Sequence, residues 1–271
     1  ARLKRFIEYY MPKPRFVNRA KDREKKLEHM KLIDKPLQEK HNLKLSFNGE
    51  VFEGKQILEV KDLSYKYKDS DSYVLKNLNF AFEEGLVYAI KGKSGCGKTT
   101  FLSLISGLEK YEEGSIKFLG EELKTINLDY YRSRDIGIVF QSFNLLPGLS
   151  AIENIILAMN VSGVKDKDKK ALAIKLLESV GLNEEKGDRR VLKLSGGEEQ
   201  RVAIARSIAY DAKVIIADEP TGNLDKETET EIMVIFKDLA KQGKCVIIVT
   251  HSNNVAKMAD VVYELKPVKQ Y

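Results

Sequence analysis

The most constraining feature of this sequence is a glycine-rich segment placed between a strand-like and a helix-like stretch. Residues 92–99 read Gly-Lys-Ser-Gly-Cys-Gly-Lys-Thr, which fits the phosphate-loop pattern G-x-x-x-x-G-K-[ST]. Residues 86–90 before it have strand composition, and residues 99–106 after it predict a helix. Glycines let backbone N–H groups turn toward phosphate oxygens at a helix N-terminus. We therefore expect this loop to bind a nucleoside triphosphate.

The same loop supplies the first candidate site residues. The Lys98 ammonium can neutralise the β- and γ-phosphates, and the Thr99 hydroxyl can coordinate Mg²⁺. Cys96 is expected to be a small loop residue rather than a redox centre. We predict nucleotide contacts along the whole loop: Gly92, Ser94, Gly95, Cys96, Gly97, Lys98, Thr99 and Thr100.

A second candidate element is the apolar stretch 214–217, which is followed directly by Asp218 and Glu219. A continuous apolar run is typical of a strand that is buried on both faces. Ligands of open α/β sheets bind at the carboxyl ends of such strands. We expect Asp218 to hold Mg²⁺ and Glu219 to orient or polarise the attacking water.

The order of short apolar stretches along the chain predicts an α/β fold. Residues 57–60, 74–82 and 86–90 have strand composition, and from there strands alternate with helical patterns. The later predicted strands are 136–140, 214–217, 246–250 and 261–265. Such alternation is typical of a largely parallel sheet, here in a phosphate-loop NTPase core.

The positive charge of the chain belongs to its first 44 residues. The net charge is +6, yet residues 1–44 hold 14 Lys and Arg against 6 Asp and Glu, whereas the remainder holds 32 against 34. Residues 16–33 predict a highly polar helix, which is either a solvated linker or a surface that docks on nucleic acid. The longest apolar runs are five residues, far short of the about 20 that a membrane span needs.

The segment 194–200, Leu-Ser-Gly-Gly-Glu-Glu-Gln, predicts an unusual helix start. Ser195 and Glu198 have the spacing of a capping box, which by itself indicates only that a helix begins there. Gly196 and Gly197, however, remove side chains from that N-terminus and leave its N–H groups open to an anion. Ser150 and Glu153 form a similar box without glycines, which we interpret as structural.

Taken together, residues 56–265 resemble the ATP-binding-cassette (ABC) ATPases. The matching features are the phosphate loop, Gln141 after Val139-Phe140, the 194–200 signature, the strand ending at Asp218 and Glu219, residues 222–225, and His251 after a strand. The resemblance implies a RecA-like core with an antiparallel β subdomain and an inserted helical subdomain. It also implies domain limits of 1–55 for a basic extension and 56–271 for the nucleotide-binding domain.

The resemblance further implies a dimer in which two copies close head to tail around two ATP molecules with Mg²⁺. The signature of one copy, Ser195, Gly196 and Gly197, would contact the γ-phosphate held by the other copy. The remaining implied roles are metal and water sensing by Gln141, coupling of the two sites by Asp225, γ-phosphate contact by His251, and adenine stacking by Tyr67, with Tyr65 as the competing aromatic. Together with Lys98 and Glu219, His251 and Gln141 make up the implied catalytic set.

Within the family, the body resembles the macrolide-exporter and lipoprotein-releasing branch. The residues that carry this resemblance are 140–147 (FQSFNLLP), 150–154 (SAIEN), 200–207 (QRVAIARS) and 218–225 (DEPTGNLD). It implies a helical subdomain at about 141–190 that contacts a separate membrane permease. The expected location is therefore the cytoplasm, peripheral to the inner face of the cell membrane.

A different resemblance covers about 60 residues at the start of the given sequence, carried by residues 6–8 (FIE), 25–28 (KKLE), 33–36 (IDKP) and 54–60 (GKQILEV). These segments resemble the interdomain linker of the ribosome-acting ABC-F proteins. This implies an alternative function as a translation or antibiotic-resistance factor, with residues 1–44 contacting ribosomal RNA, or a fusion carrying that linker. Against it, residues 221–225 read TGNLD where ABC-F proteins usually have TNHLD. A DNA-repair or chromosome-associated ATPase is a weaker alternative, because the coiled-coil or zinc insertion that it requires is missing from the sequence.

Overall fold

The structure, a computed structural model, describes residues 55–68, 70 and 72–268. The basic extension predicted for residues 1–55 lies outside the described residues except at Lys55, as does the polar helix predicted for 16–33. Domain limits at 55 and 56 therefore stay a prediction. Within the described ranges, no helix has both the length and the apolar composition to cross a membrane.

The first layer is a four-stranded antiparallel sheet. Its strands are β1 (Gln56–Tyr65), β2 (Leu75–Glu83), β4 (Glu113–Phe118) and β5 (Glu121–Glu122), in the order β2-β1-β4-β5. The sequence pattern predicted only part of this sheet. β1 runs five residues past the predicted end at Val60. β4 and β5 were not predicted, because their Glu, Gly and Ser residues form strands here only through pairing, β4 with β1 and β5 with β4.

The second layer is a parallel sheet that carries the phosphate loop. It consists of β3 (Val87–Lys91), β6 (Ile136–Val139), β7 (Val214–Asp218), β8 (Cys245–Thr250) and β9 (Val261–Glu264). The order is β6-β7-β8-β3-β9, and every pair is parallel. The predicted phosphate-loop α/β core, mostly parallel with an antiparallel β subdomain, is therefore confirmed.

Helices cover the parallel sheet and connect its strands. In chain order they are α1 (Lys98–Ile105), α2 (Leu128–Tyr130, continued by a π turn, Tyr131–Asp135), α3 (Ala151–Val161), α4 (Lys169–Ser179), α5 (Glu184–Gly187), α6 (Gly196–Ser207), α7 (Lys226–Lys241) and α8 (Asn253–Met258). Helices α3, α4 and α5 fall within the stretch 141–190 expected to be helical. The predicted capping box at Ser150 and Glu153 is formed.

The parallel sheet is the middle of three layers, because its strands bury alternate residues on opposite faces. In β7, Val214 and Ile216 join a cluster with the antiparallel sheet and α1. Ile215 and Ala217 face the other way, into a cluster with α3, α4, α6 and α7. This burial on both faces explains why β7 and β8 have no polar positions before their carboxyl ends.

Candidate functional site

The phosphate loop joins β3 to α1 and is shaped by its glycines. Gly97, the N-cap of α1, has φ of 92°, a left-handed conformation that favours glycine. A Cβ there would lie 2.6 Å from Leu75 Cδ2, and one on Gly92 would lie 2.6 Å from the Leu265 carbonyl oxygen. The first turn of α1 has no acidic residue, so the positive end of the helix dipole is left for an anion.

Lys98 is almost completely buried and points back at its own loop. Its Nζ donates to the carbonyl oxygens of Gly92 at 2.9 Å and Lys93 at 3.1 Å. It also lies 4.0 Å from Glu219 Oε1. The ammonium is therefore held at the centre of the loop by weak acceptors that a phosphate group can replace.

Asp218, the last residue of β7, sits beside the start of α1. The Thr99 hydroxyl donates to Asp218 Oδ2 at 3.1 Å. Burial raises the pKa of Asp218, the adjacent Glu219 adds to the rise, and the hydrogen bond from Thr99 opposes it. A carboxylate whose charge is disfavoured by burial, next to a hydroxyl oxygen, suits a hard cation such as Mg²⁺.

Glu219 follows β7 and is fixed by the carboxyl end of β8. Its Oε2 accepts from the Thr250 hydroxyl at 3.1 Å and the His251 backbone N–H at 3.2 Å. Its Oε1 lies 2.8 Å from His251 Nδ1. Glu219 has φ of 44°, an unusual conformation for a non-glycine residue that is typical of functional sites.

These side chains meet in a cavity of about 630 Å³, a volume suited to a small-molecule ligand. Eleven of the predicted site residues line it, together with Val74, which was not predicted. The predicted residues are Tyr67, Ser94, Gly95, Gly97, Lys98, Thr99, Thr100, Gln141, Asp218, Glu219 and His251. Gly92 and Cys96 do not line the cavity: Gly92 supplies a carbonyl oxygen to Lys98, and the Cys96 side chain is buried.

The two candidate aromatics for adenine differ in exposure. Tyr67 is half exposed at the cavity wall, and its hydroxyl lies 3.0 Å from Thr100 Oγ1. Tyr65 is buried, does not line the cavity, and donates to Glu109 Oε2 at 3.2 Å. Tyr67 is thus the more accessible of the two aromatics, and its stacking on adenine stays a prediction.

The signature residues do not line this cavity. Ser195 caps α6, where its N–H donates to the Glu198 carboxylate at 2.8 Å. Gly197 packs on the start of α7, since a Cβ there would lie 2.8 Å from Thr228 Cγ2. Asp225 caps α7 by accepting from the N–H groups of Glu227 and Thr228. Ser195, Gly196, Gly197 and Asp225 therefore form a second surface, at the adjoining starts of α6 and α7.

Two polar contacts of the site were not foreseen from the sequence. The Thr250 hydroxyl donates to Glu219. Its position at the end of an apolar strand, next to His251, is a pattern from which Thr250 could have been predicted as a site residue. Lys186 contacts Glu198 at 2.6 Å and lowers the pKa of that carboxyl, so α5 holds the signature helix. No local pattern marks Lys186, because its partner lies on another helix.

Known proteins share this architecture. The sequence profile of the ABC transporter family matches residues 75–222. The chain is 44% identical over 206 residues to YclH, an ABC transporter ATP-binding protein of Bacillus subtilis, covering 76% of this chain and 91% of that one. It is 42% identical over 196 residues to the lipoprotein-releasing system ATP-binding protein LolD of Treponema denticola, covering 71% and 86%.

Solved structures give the same result. The dimeric structure of MJ0796, a bacterial ABC transporter cassette, has a TM-score of 0.71 and 36% identity, covering 78% of this chain and 94% of that one. A post-hydrolysis MJ0796 dimer bound to ADP and Pi also has a TM-score of 0.71, with 34% identity, covering 79% and 97%. None of these relatives favours the ribosome-associated alternative. The chain belongs to the ABC transporter family and is one of its ATP-binding, ATP-hydrolysing subunits.

Proposed function

We propose that two copies of this chain close head to tail around two ATP molecules and drive a separate membrane permease. The observation that carries the proposal is the separation of two half-sites in one chain. The cavity holds Lys98 and Glu219, whereas the glycine-lined start of α6 lies elsewhere. A second copy can bring that helix N-terminus to the γ-phosphate, and the dimeric structure of the similar MJ0796 cassette supports such a pairing.

In this proposal the residues of the cavity bind different parts of ATP and its Mg²⁺ ion. Lys98 leaves the carbonyl oxygens of Gly92 and Lys93 and turns to the β- and γ-phosphates, while Tyr67 stacks on adenine. Asp218, Thr99 and Gln141 would hold Mg²⁺. When bound there, Mg²⁺ would supply positive charge that offsets part of the charge of the triphosphate.

Hydrolysis depends on the alignment of Glu219. Its carboxylate, fixed by Thr250 and His251, orients the attacking water toward the γ-phosphate. The signature glycines of the second copy stabilise the charge on the γ-phosphate oxygens. When that phosphate leaves, the bridge between the copies is lost and they separate, which is a shift of population set by the different contacts of ATP and ADP.

We place the chain at the cytoplasmic face of a membrane, in a lipoprotein-releasing or exporter type of system. The support is the similarity to LolD and the presence of α3 and α4, which the family resemblance assigns to permease contact. The half-exposed apolar side chains Leu146 and Leu157 and the more exposed Val161 lie in this region, as a protein-binding surface requires.

The decisive experiment uses Glu219→Gln, which keeps the size of the side chain but removes its charge. We expect turnover to fall by at least about 100-fold, and the protein to become a stable dimer with ATP and Mg²⁺ in light scattering. The control is Glu178→Gln, an exposed glutamate on α4 that should stay active. A Glu219→Gln protein that remains monomeric at saturating ATP would contradict the two-copy site.

The ATP-bound Glu219→Gln dimer also tests whether the chain binds a membrane permease. Incubated with cell extract and ATP, it should co-purify with an integral membrane protein. Sedimentation with ribosomes, abolished by deletion of residues 1–44, would instead support the translation-factor alternative and overturn the transporter assignment.

A further inference from the structure

Helix α6 carries two arginines that bind different parts of the molecule. Arg201 donates to the Val180 carbonyl oxygen and to Glu231, and so ties α6 to the end of α4 and to α7. Arg206, further along the helix, donates to the carbonyl oxygens of Asn144 and, at 2.8 Å, Phe143. Of these two arginines on the same helix, only Arg206 contacts the segment after Gln141. Arg201 can therefore serve as its control.

The turn that Arg206 holds is conformationally unusual. Phe143 and Asn144 have φ of 58° and 50°, both in the left-handed region. This conformation is uncommon for any side chain and is a clear outlier for a bulky residue such as phenylalanine, so surrounding contacts must maintain it. The planar guanidinium is suited to this task, because its fixed donors can bind two neighbouring carbonyl oxygens at once.

The acceptors of Arg206 are also informative. Within the described part of the chain its hydrogen bonds go to these two backbone carbonyls rather than to a carboxylate. Burial lowers the pKa of Arg206, so its charge is partly removed from water. Removing the Arg206 charge from water costs free energy. That this cost is met with backbone carbonyls as the acceptors indicates that the protein needs the turn to keep its position.

The turn lies between the cavity and the helical region. Gln141, two residues before Phe143, lines the cavity beside Asp218 and Glu219. Arg206 belongs to the same continuous helix that begins at the signature glycines. Helix α6 and the hydrogen bonds of Arg206 thus link the turn that follows Gln141 to the glycines at the start of α6.

We propose that Arg206 is a positioning residue that couples Gln141 to the signature helix. Its paired hydrogen bonds keep the Phe143–Asn144 turn in register with α6. Gln141, at the γ-phosphate in the chain's own cavity, and Gly196, at the γ-phosphate held by the second copy, therefore respond together. The inference rests on the proposed function, because it requires Gln141 to act in turnover.

The test starts with Arg206→Met, which keeps the length of the side chain and removes its donors. In the full chain we expect kcat for ATP hydrolysis to fall about 10-fold while KM for ATP changes less than about twofold, because the groups that bind ATP are untouched. The matched variant Arg201→Met removes the other α6 arginine. An unchanged kcat for Arg206→Met would overturn the proposal.

A double-mutant cycle separates coupling from simple destabilisation. With Gln141→Ala as the second change, the effects of Arg206→Met and Gln141→Ala on kcat should be strongly non-additive, whereas those of Arg201→Met and Gln141→Ala should multiply. Multiplicative effects for Arg206 as well would refute the coupling. If Gln141→Ala alone leaves kcat unchanged, the proposed role of Gln141 fails instead, so the two failures are distinguishable.

A conservative variant serves as the control for loss of folding. Arg206→Lys retains the charge but cannot hold two carbonyls in a fixed fork, so it should show an intermediate kcat and the same non-additivity with Gln141→Ala. Thermal unfolding of each variant is measured alongside. If Arg206→Met does not fold, the cycle with Arg206→Lys decides the question by the same criterion.

Discussion

At the scale of single residues, two adjacent carboxylates are given different environments. Asp218 is partly buried beside Thr99, and burial raises its pKa, so it gains most from a cation. Glu219 instead accepts hydrogen bonds from the Thr250 hydroxyl and the His251 backbone N–H, and its Oε1 contacts His251 Nδ1. Its left-handed backbone costs about 1–3 kcal/mol. Hydrogen bonds to a charged group contribute about 1.5–3 kcal/mol each, which is sufficient to hold this conformation.

Lys98 is predicted to dominate the binding of the triphosphate. Its ammonium is already positioned at the centre of the loop, so Lys98→Ala removes the positive charge that would bind the phosphates. We expect the Kd for ATP to rise about 10- to 100-fold, measured by titration calorimetry. Lys93→Ala is the control, because Lys93 is exposed and uses its backbone carbonyl, not its side chain, in the loop. Equal Kd values for the two variants would contradict the assignment of the loop.

At the scale of elements, the signature helix α6 has an N-terminus that is held by side-chain contacts. It also contains one buried polar side chain whose amide has no hydrogen-bond partner among the described residues. Its capping box and the contact between Lys186 and Glu198 hold the N-terminus, and Val202 and Ile204 anchor it in the core. Gln200 is fully buried, yet neither polar atom of its amide has a partner within the described residues. A buried amide without hydrogen bonds costs stability.

Gln200→Met is predicted to stabilise the protein. Methionine has a similar shape and no polar atoms to desolvate, so the free energy of unfolding should rise by about 1 kcal/mol and Tm by roughly 2–4 °C. Differential scanning calorimetry measures both. Gln200→Ala should lower Tm, because it leaves a cavity where buried methylene groups were. If Gln200→Met lowers Tm as much as Gln200→Ala, the amide has a partner and the interpretation is wrong.

At the scale of the whole molecule, the fold keeps the cavity apart from the surface formed by Ser195, Gly196, Gly197 and Asp225. The cavity lies at the carboxyl ends of β3, β7 and β8, where α/β sheets bind ligands. The signature surface is formed by the starts of α6 and α7 and does not line that cavity. A head-to-tail pair would bring unlike surfaces together twice and so form two equivalent sites.

A mixture of two inactive variants should therefore recover activity. Glu219→Gln lacks the catalytic carboxylate but keeps its signature, whereas Gly196→Asp blocks the signature but keeps its cavity. Mixed in equal amounts before ATP is added, half the dimers that form first would contain one intact site, so the initial ATPase rate should reach about a quarter of the unmodified rate. Each variant alone, at the same total concentration, provides the baseline. A mixture no more active than either variant would contradict the shared site.

Much of the site could be predicted because its signals are local. The glycine spacing around Lys98, the apolar run before Asp218 and the capping box at Ser195 are short-range patterns that backbone geometry and burial impose on the sequence. Eleven predicted residues do line one cavity. The assignment of Tyr67, Gln141 and His251, however, came from the family resemblance, since an isolated aromatic, glutamine or histidine has no distinctive local pattern.

The phosphate loop, the pair of carboxylates and the strands of the parallel sheet could be predicted from the sequence, because each depends on residues close together along the chain. The strands β4 and β5, and the distant groups that complete the site, depend instead on the packing of the folded chain. Val74 in the cavity wall, Thr250 on Glu219 and Arg206 on the Phe143–Asn144 turn are brought there by packing. Arg206 lies more than 60 residues from its acceptors. Contacts over such separations follow from how layers stack and are not encoded in any short pattern.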